Sequence, residues 1–278
     1  PELDIDTTIV THVSCFGAND GYIQAINVIG GTSPYEYSVD GSIHYTNMAY
    51  FNGYSPGTYT VEVYDANNCV AQDYITIIEP DLLDVTVMPS DWNNYQIKCH
   101  GESSGYANIN IIGGTSPYNR SCYDNNNGVS IPTFANPTVS GLDTGIYTFE
   151  VIDANGCPYS ETITYNEPDT IIHNFIPTHV TCNGWSDGSL TDVVSGGVGT
   201  ATSYIYQWNT GETTYSLTGI PIGTYIMTVR DENNCINVDS FTINDTNALI
   251  KKEELEGVIS PYFQKKQAEA QAAQAGDS

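Results

Sequence analysis

The stretch "GTYTVEVYDANNC" (Gly57–Cys69) returns as "GIYTFEVIDANGC" (Gly145–Cys157) and again as "GTYIMTVRDENNC" (Gly223–Cys235). In each, apolar residues alternate: Tyr59, Val61 and Val63; Tyr147, Phe149 and Val151; Tyr225, Met227 and Val229. A period of two in β-branched and aromatic residues predicts a strand buried on one face. The Asp-Asn cluster that follows predicts a tight turn, because these side chains close turns on their own backbone and accept the left-handed conformation. The Gly-x-Tyr opening predicts a tyrosine corner, in which a Tyr at the start of a late strand bonds back to the backbone.

Working outward, each copy sits in a longer repeat. Upstream stand "CFGANDGYI" from Cys15, "CHGESSGYA" from Cys99 and "CNGWSDGSL" from Cys182, then "GGTSPYEYS" from Gly30, "GGTSPYNRS" from Gly113 and "GGVGTATSYIYQW" from Gly196. The Gly-Gly pairs are 83 residues apart both times. Downstream stand "ITIIEP", "ITYNEP" and "FTINDT". Pro1 occupies the place of Pro80 and Pro168, so the chain opens on a repeat boundary and further repeats are expected upstream. Short alternating strands, broken every 8–12 residues by Gly, Pro, Asn and Asp, predict an all-β chain of three immunoglobulin-like sandwiches over 1–80, 81–168 and 169–246, arranged as an extended rod. No helical period occurs before residue 247. From there Leu255, Val258, Ile259 and Tyr262 recur at helical spacing, which predicts a helical tail over 247–278 for attachment or assembly.

The 278 residues carry 33 acidic and 7 basic side chains, and four of the basic ones (Lys251, Lys252, Lys265, Lys266) lie in that tail. So acidic a body repels phosphate backbones and anionic lipid, which excludes nucleic acid as a partner. No apolar run reaches the length of a membrane span, so membrane insertion is not expected.

Seven cysteines place one near the start and one near the end of each repeat. Pairing within repeats is expected: Cys15–Cys69, Cys99–Cys157 and Cys182–Cys235, each worth roughly 4 kcal/mol in the chain-entropy picture. Zinc is disfavoured because no C-x-x-C pair exists. Paired cysteines imply an oxidising, extracellular setting. Cys122 is left over as a free thiol, with an intermolecular bridge as the alternative.

No hydrolase, P-loop, zincin or dinucleotide motif is present, and no enzyme is expected. Of His12, His44, His100, His173 and His179, the first and last share one repeat position, "T-H-V-[ST]-C", and read as strand residues rather than catalysts. No cofactor is expected except possible calcium, with Asp20, Asp65 and Asn67 as one oxygen cluster and Asp187, Asp231 and Asn233 as another; Ser104 in the second repeat counts against a repeated site. Asn119 and Asn244 head N-x-[ST] sequons, and Thr7 and Thr170 follow Asp in an O-glycosylation-like pattern. Trp185 and Trp208 are candidates for a carbohydrate platform, with a core position as the bland alternative; Trp92 lies in the longer linker before the second repeat.

The assembled pattern C-x-G-x-x-D-G, G-G-x-x-P-Y, G-T-Y-x-V-x-V-x-D-x-x-x-C and I-T-I-x-E-P resembles the SprB repeat of Bacteroidetes surface proteins over residues 1–246. The third repeat departs from it by lacking Pro-Tyr and Glu-Pro, and the second by lacking Asp-Gly. The resemblance implies a non-enzymatic cell-surface adhesin, a stalk or filament segment whose partners are other copies or upstream repeats and an unidentified glycan or protein ligand. A virion fibre or decoration protein docked by its tail, and a carbohydrate-binding accessory module, are the alternatives.

Overall fold

The computed structural model describes residues 1–41, 45–46, 50–131 and 136–246. The expected tail helix and His44 lie outside them. The described residues divide into two compact units: Pro1–Ser90 with Gly105–Tyr165, and Asp91–Ser104 with residues 166–246.

Among the described residues the first unit holds fourteen strands. They are β1 (Asp4–Thr11), β2 (Gly21–Ile29), β3 (Glu36–Val39), β4 (Tyr45–Thr46), β5 (Tyr50–Tyr54), β6 (Gly57–Tyr64) and β7 (Val70–Ile77), then β8 (Asp84–Pro89), β9 (Gly105–Ile112), β10 (Asn119–Asp124), β11 (Val129–Ile131), β12 (Thr138–Leu142), β13 (Gly145–Ile152) and β14 (Pro158–Tyr165). The second unit holds β15 (Phe175–Thr178), β16 (Gly188–Asp192), β17 (Ile205–Trp208), β18 (Ser216–Ile220), β19 (Gly223–Arg230) and β20 (Ile236–Ile243). All pairings between these strands are antiparallel.

Two sheet plans recur. One is three-stranded: β1-β2-β5, β12-β9-β8 and β15-β16-β18. The other is built on the quoted stretch: β4-β3-β6-β7, β11-β10-β13-β14 and β17-β19-β20. No sheet mixes strands from two sequence repeats. The quoted strands bury the alternating residues that the pattern singles out, with Val61, Val63, Phe149, Val151, Met227 and Val229 all at 0 % exposure. In the first repeat Ile23, Phe51 and Ile77 close the core over them. In the second unit Leu190, Trp208 and Ile243 do the same.

The tyrosine corners are present. Tyr59 Oη donates to the Ser55 carbonyl at 2.8 Å and Tyr225 Oη to the Pro221 carbonyl at 2.9 Å. In the second repeat the Tyr147 hydroxyl instead accepts from the Asp143 amide at 3.2 Å.

Candidate functional site: the cysteine-bearing ends of the repeats

Each quoted strand runs into a turn centred on one aspartate. Asp65, Asp153 and Asp231 are buried, at 6, 5 and 3 % exposure. One carboxylate oxygen takes the amide of the cysteine four residues on: Cys69 at 2.9 Å, Cys157 at 2.9 Å and Cys235 at 2.8 Å. The other takes an amide just after the Gly-Gly pair: Thr32 at 2.9 Å, Thr115 at 2.9 Å and Val198 at 2.8 Å. The aspartate thereby ties the late hairpin to the Gly-Gly loop. The amide bonds, led by that of Cys69, hold the Asp65 carboxyl below its ordinary value. For Asp153 burial pulls the other way, and the amides of Cys157, Thr115 and Asn155 outweigh it.

The first glycine of each pair is required. Gly30, Gly113 and Gly196 have φ of +69°, +69° and +78°, and a Cβ on any of them would overlap a carbonyl oxygen, of Glu2, Leu82 and Thr170 respectively. Their own carbonyls are capped by tyrosine hydroxyls: Tyr35 at 2.6 Å, Tyr118 at 2.7 Å and Tyr204 at 2.6 Å. The third repeat lacks Pro-Tyr, yet Tyr204 reaches the same carbonyl from three residues further along the chain.

The early cysteines occupy a different turn, between the first two strands of each repeat. Cys15, Cys99 and Cys182 each close a C-x-G turn, their carbonyls accepting from Ala18 (3.0 Å), Glu102 (3.1 Å) and Trp185 (3.1 Å). The residue before each cysteine has its amide bonded by a short polar side chain: Ser14 to Asp20 (3.0 Å), Lys98 to Ser104 (2.8 Å) and Thr181 to Asp187 (3.2 Å). In the first two repeats a second carboxylate caps the turn, Glu79 on Gly17 at 2.9 Å and Glu167 on Gly101 at 2.7 Å. These are the glutamates of the Glu-Pro signature.

Here the structure corrects the expected disulfides. Cys15 is bonded to Cys157 and Cys99 to Cys235, with Cα–Cα distances of 5.7 and 5.6 Å. Cys69, Cys122 and Cys182 are free. The pairs Cys15–Cys69, Cys99–Cys157 and Cys182–Cys235 do not form. The C-x-G turn and the late hairpin turn lie at opposite ends of one sandwich: β1 begins beside the Gly-Gly loop and ends before Cys15. Its eight residues at about 3.3 Å each span roughly 26 Å, whereas a disulfide needs Cα atoms within about 7 Å. The early cysteine of one repeat therefore bonds to the late cysteine of the next.

Neighbouring contacts repeat this pattern. Asn155 Nδ2 donates to the Ser14 carbonyl at 2.9 Å, and Asn233 Nδ2 to the Lys98 carbonyl at 3.0 Å. Asn233 also donates to the Trp92 carbonyl at 3.1 Å and accepts from Asn93 at 2.6 Å, which accounts for segment 91–104 belonging to the second unit.

The same geometry separates the members of each expected calcium cluster. Asp20 and Asp187 stand at the C-x-G end, and Asp65, Asn67, Asp231 and Asn233 at the hairpin end of their repeats. The carboxylate oxygens of Asp20, Asp65, Asp187 and Asp231 are engaged as turn acceptors, and among the described residues no group of three or more His, Cys, Asp or Glu is arranged to hold a metal. The Thr181 side chain, then its amide, holds Asp187 below its ordinary pKa, and Ser14 does so for Asp20.

The repeated histidines are acceptors. His12 Nδ1 takes the Ile78 amide at 3.3 Å and His179 Nδ1 the Asn244 amide at 3.1 Å, while Gln96 Oε1 does the same for Asn166 at 3.1 Å. A glutamine in the same post needs no imidazole chemistry. His100 lies against Glu167 at 3.3 Å.

His173, one of the five histidines counted in the sequence, makes a buried contact with a carboxylate that no sequence signal marked. Its Nδ1 is 2.6 Å from Asp192 Oδ2, with both side chains at most 1 % exposed. Burial opposes the charged imidazole, but the Asp192 carboxylate raises its pKa overall. It sits in the linker before β15, stacked on Phe175.

Cys122 is buried in the second sandwich opposite Phe149, and burial with the nearby Asp124 pushes its thiol up to about 12. Trp208 is a core residue at 1 % exposure whose Nε1 donates to the Thr214 carbonyl at 2.8 Å. Trp185 is 58 % exposed in the C-x-G turn of Cys182. The two therefore do not form one platform. Of the glycosylation candidates, Thr7, Thr170 and Asn119 are exposed and Asn244 is half-buried.

The family profile of the SprB repeat matches residues 7–42 and 174–213. No curated protein matches the chain. Among solved structures it is similar to the N-terminal eight Ig domains of Down Syndrome Cell Adhesion Molecule isoform 1.30.30, at 12 % identity and a TM-score of 0.38, over 88 % of this chain and 35 % of that one. It thus spans about a third of that relative's length. It is also similar to the N-terminal four Ig domains of Dscam1 isoform 9.44, at 10 % identity and a TM-score of 0.26, over 85 % of this chain and 72 % of that one. At these scores the likeness carries no argument about function.

Proposed function

Starting from a chain that carries SprB repeats at residues 7–42 and 174–213, we propose a non-enzymatic, extracellular, adhesive repeat protein acting as a stalk or filament segment of a cell-surface adhesin. The observation that carries this reading is covalent: successive repeats are stitched by Cys15–Cys157 and Cys99–Cys235. Such bonds persist in oxidising compartments and are reduced in the cytosol. The absence of enzymatic chemistry is supported by the tasks of the polar residues. Asp65, Asp153 and Asp231, and the acceptors Asp20, Ser104 and Asp187, hold backbone amides at the same posts in every repeat. No helix among the described residues is long and apolar enough to cross a membrane. The virion-fibre alternative rests on the tail, outside the described residues, and the carbohydrate-module alternative is left with the single exposed Trp185.

The test is antibody raised against the folded chain, applied to cells of its natural source before and after permeabilisation. Labelling of intact cells, with Cys15, Cys99, Cys157 and Cys235 protected from alkylation, is expected. Labelling only after permeabilisation, with those cysteines alkylated, overturns the proposal.

A further inference from the structure

The disulfide pattern leaves one cysteine of each kind unpaired, and they lie in different repeats. Cys69 is a late-hairpin cysteine and Cys182 an early-turn cysteine. Both sites are already built. Around Cys69, the residues Glu2, Leu3, Thr32, Asp65 and Asn67 line a groove. Its counterpart in the second repeat, lined by Leu82, Leu83, Asp153 and Cys157, is where Cys15 and Phe16 sit. Its counterpart in the third, lined by Thr170, Ile171, Asp231 and Cys235, is where Cys99 and His100 sit. Two of three equivalent grooves thus hold a C-x-G turn. In the first repeat the groove contains no such turn among the described residues, and Cys69 is exposed where Cys157 and Cys235 are buried.

The polar fittings match as well. Asn67 Nδ2 bonds Thr32 Oγ1 at 3.0 Å, as Asn155 Nδ2 bonds Thr115 Oγ1 at 3.1 Å; Asn155 adds the bond to the Ser14 carbonyl of the seated turn. On the other side, Cys182-Asn183-Gly184 already holds the conformation of the two seated turns, closed by the Trp185 amide on the Cys182 carbonyl and by Asp187 on Thr181.

We propose that the Cys182 turn of one copy of this chain seats in the Cys69 groove of a second copy and forms a Cys182–Cys69 disulfide, joining copies head to tail. The contact is heterologous: each copy offers one groove and one turn, so the chain of copies extends instead of closing on a twofold axis. The chemistry is thiol–disulfide exchange with a small-molecule disulfide. The Cys69 thiolate attacks one sulfur of the oxidant and releases its other half as a thiol. The Cys182 thiolate of the second copy then attacks the Cys69 sulfur and releases the second half as a thiol. Two protein thiols and one disulfide become one protein disulfide and two small thiols. Cys122 is buried and does not compete.

The test supplies its own oxidant, so its outcome is independent of where the protein resides. The purified full chain is incubated with oxidised and reduced glutathione, in enough salt to screen its net charge of −26, and analysed by non-reducing electrophoresis and peptide mapping. A ladder at multiples of the monomer mass, joined through Cys69–Cys182, is expected. Cys69→Ser and Cys182→Ser should each remain monomeric alone, and a mixture of the two should give a dimer and nothing larger. Both variants leave the two existing disulfides untouched. A chain that stays monomeric, a Cys69–Cys182 bond within one molecule, or dimers of either variant with itself would overturn the proposal.

Discussion

Two sets of acceptors hold the two ends of every repeat, and they differ in how much change they tolerate. At the hairpin end the acceptor is always a buried aspartate: Asp65, Asp153 and Asp231. At the C-x-G end it is Asp20, Ser104 or Asp187. The first set receives amides on both carboxylate oxygens, from two loops distant in sequence. A serine hydroxyl cannot replace that, because one oxygen cannot face both donors. The second set serves a single main-chain amide, for which one hydroxyl suffices. The lesson is that the number of converging donors, more than negative charge itself, fixes the identity of these residues.

The sharpest way to break this comparison is Asp153→Ala. It strands the amides of Thr115, Asn155 and Cys157, and should cost about 3–5 kcal/mol in urea denaturation. A loss near that of an ordinary surface substitution would refute the clamp.

Next comes pH. The folded values of Asp65, Asp153, Asp20 and Asp187 lie below the ordinary 3.8, so their contribution is complete at neutral pH and is lost from about pH 5 downward, as the unfolded chain takes up protons before the folded one. His173 has the opposite sign. Its raised folded pKa makes its contribution complete below the ordinary 6.5 and lost as pH rises through the folded value. Thermal unfolding across pH in wild type and His173→Gln should separate the two arms.

Smaller is Tyr118→Phe, which removes one hydrogen bond to the Gly113 carbonyl and should cost about 1 kcal/mol by the same denaturation. Smallest are Asp20→Ser and His12→Gln, which copy into the first repeat what Ser104 and Gln96 do in the second. Both should leave the melting temperature within experimental error of wild type, whereas Asp20→Ala should lower it.

Much of this was legible in the sequence. The period-two strands, the tyrosine corners, the Asp-Asn turn and the three-fold repeat follow from local spacing, which reflects local backbone chemistry. The cysteine partners were not legible, because sequence proximity suggests that the two cysteines of a repeat are neighbours when a full strand length separates them. The available clue was β1 itself: a strand starting at the Gly-Gly loop must end far from it, carrying Cys15 away from Cys69. The grouping of Asp20 with Asp65, and of Asp187 with Asp231, came apart for the same reason. Nothing local marks the His173–Asp192 pair, which depends on a linker folding back on β16. The SprB match falls within the first and third repeats, at residues 7–42 and 174–213, and the second is tied to them by the landmarks they share.

The staggered disulfides also have a mechanical meaning. Because Cys15–Cys157 and Cys99–Cys235 enclose overlapping stretches of chain, a pull applied at Pro1 and Thr246 is carried across both sulfur bridges. Even with every strand unravelled, the contour that can pay out is less than half of the polypeptide between those points. Stretched to its limit, such a protein behaves as a short tether with a hard stop, returning to a molecule whose repeats have never lost hold of one another.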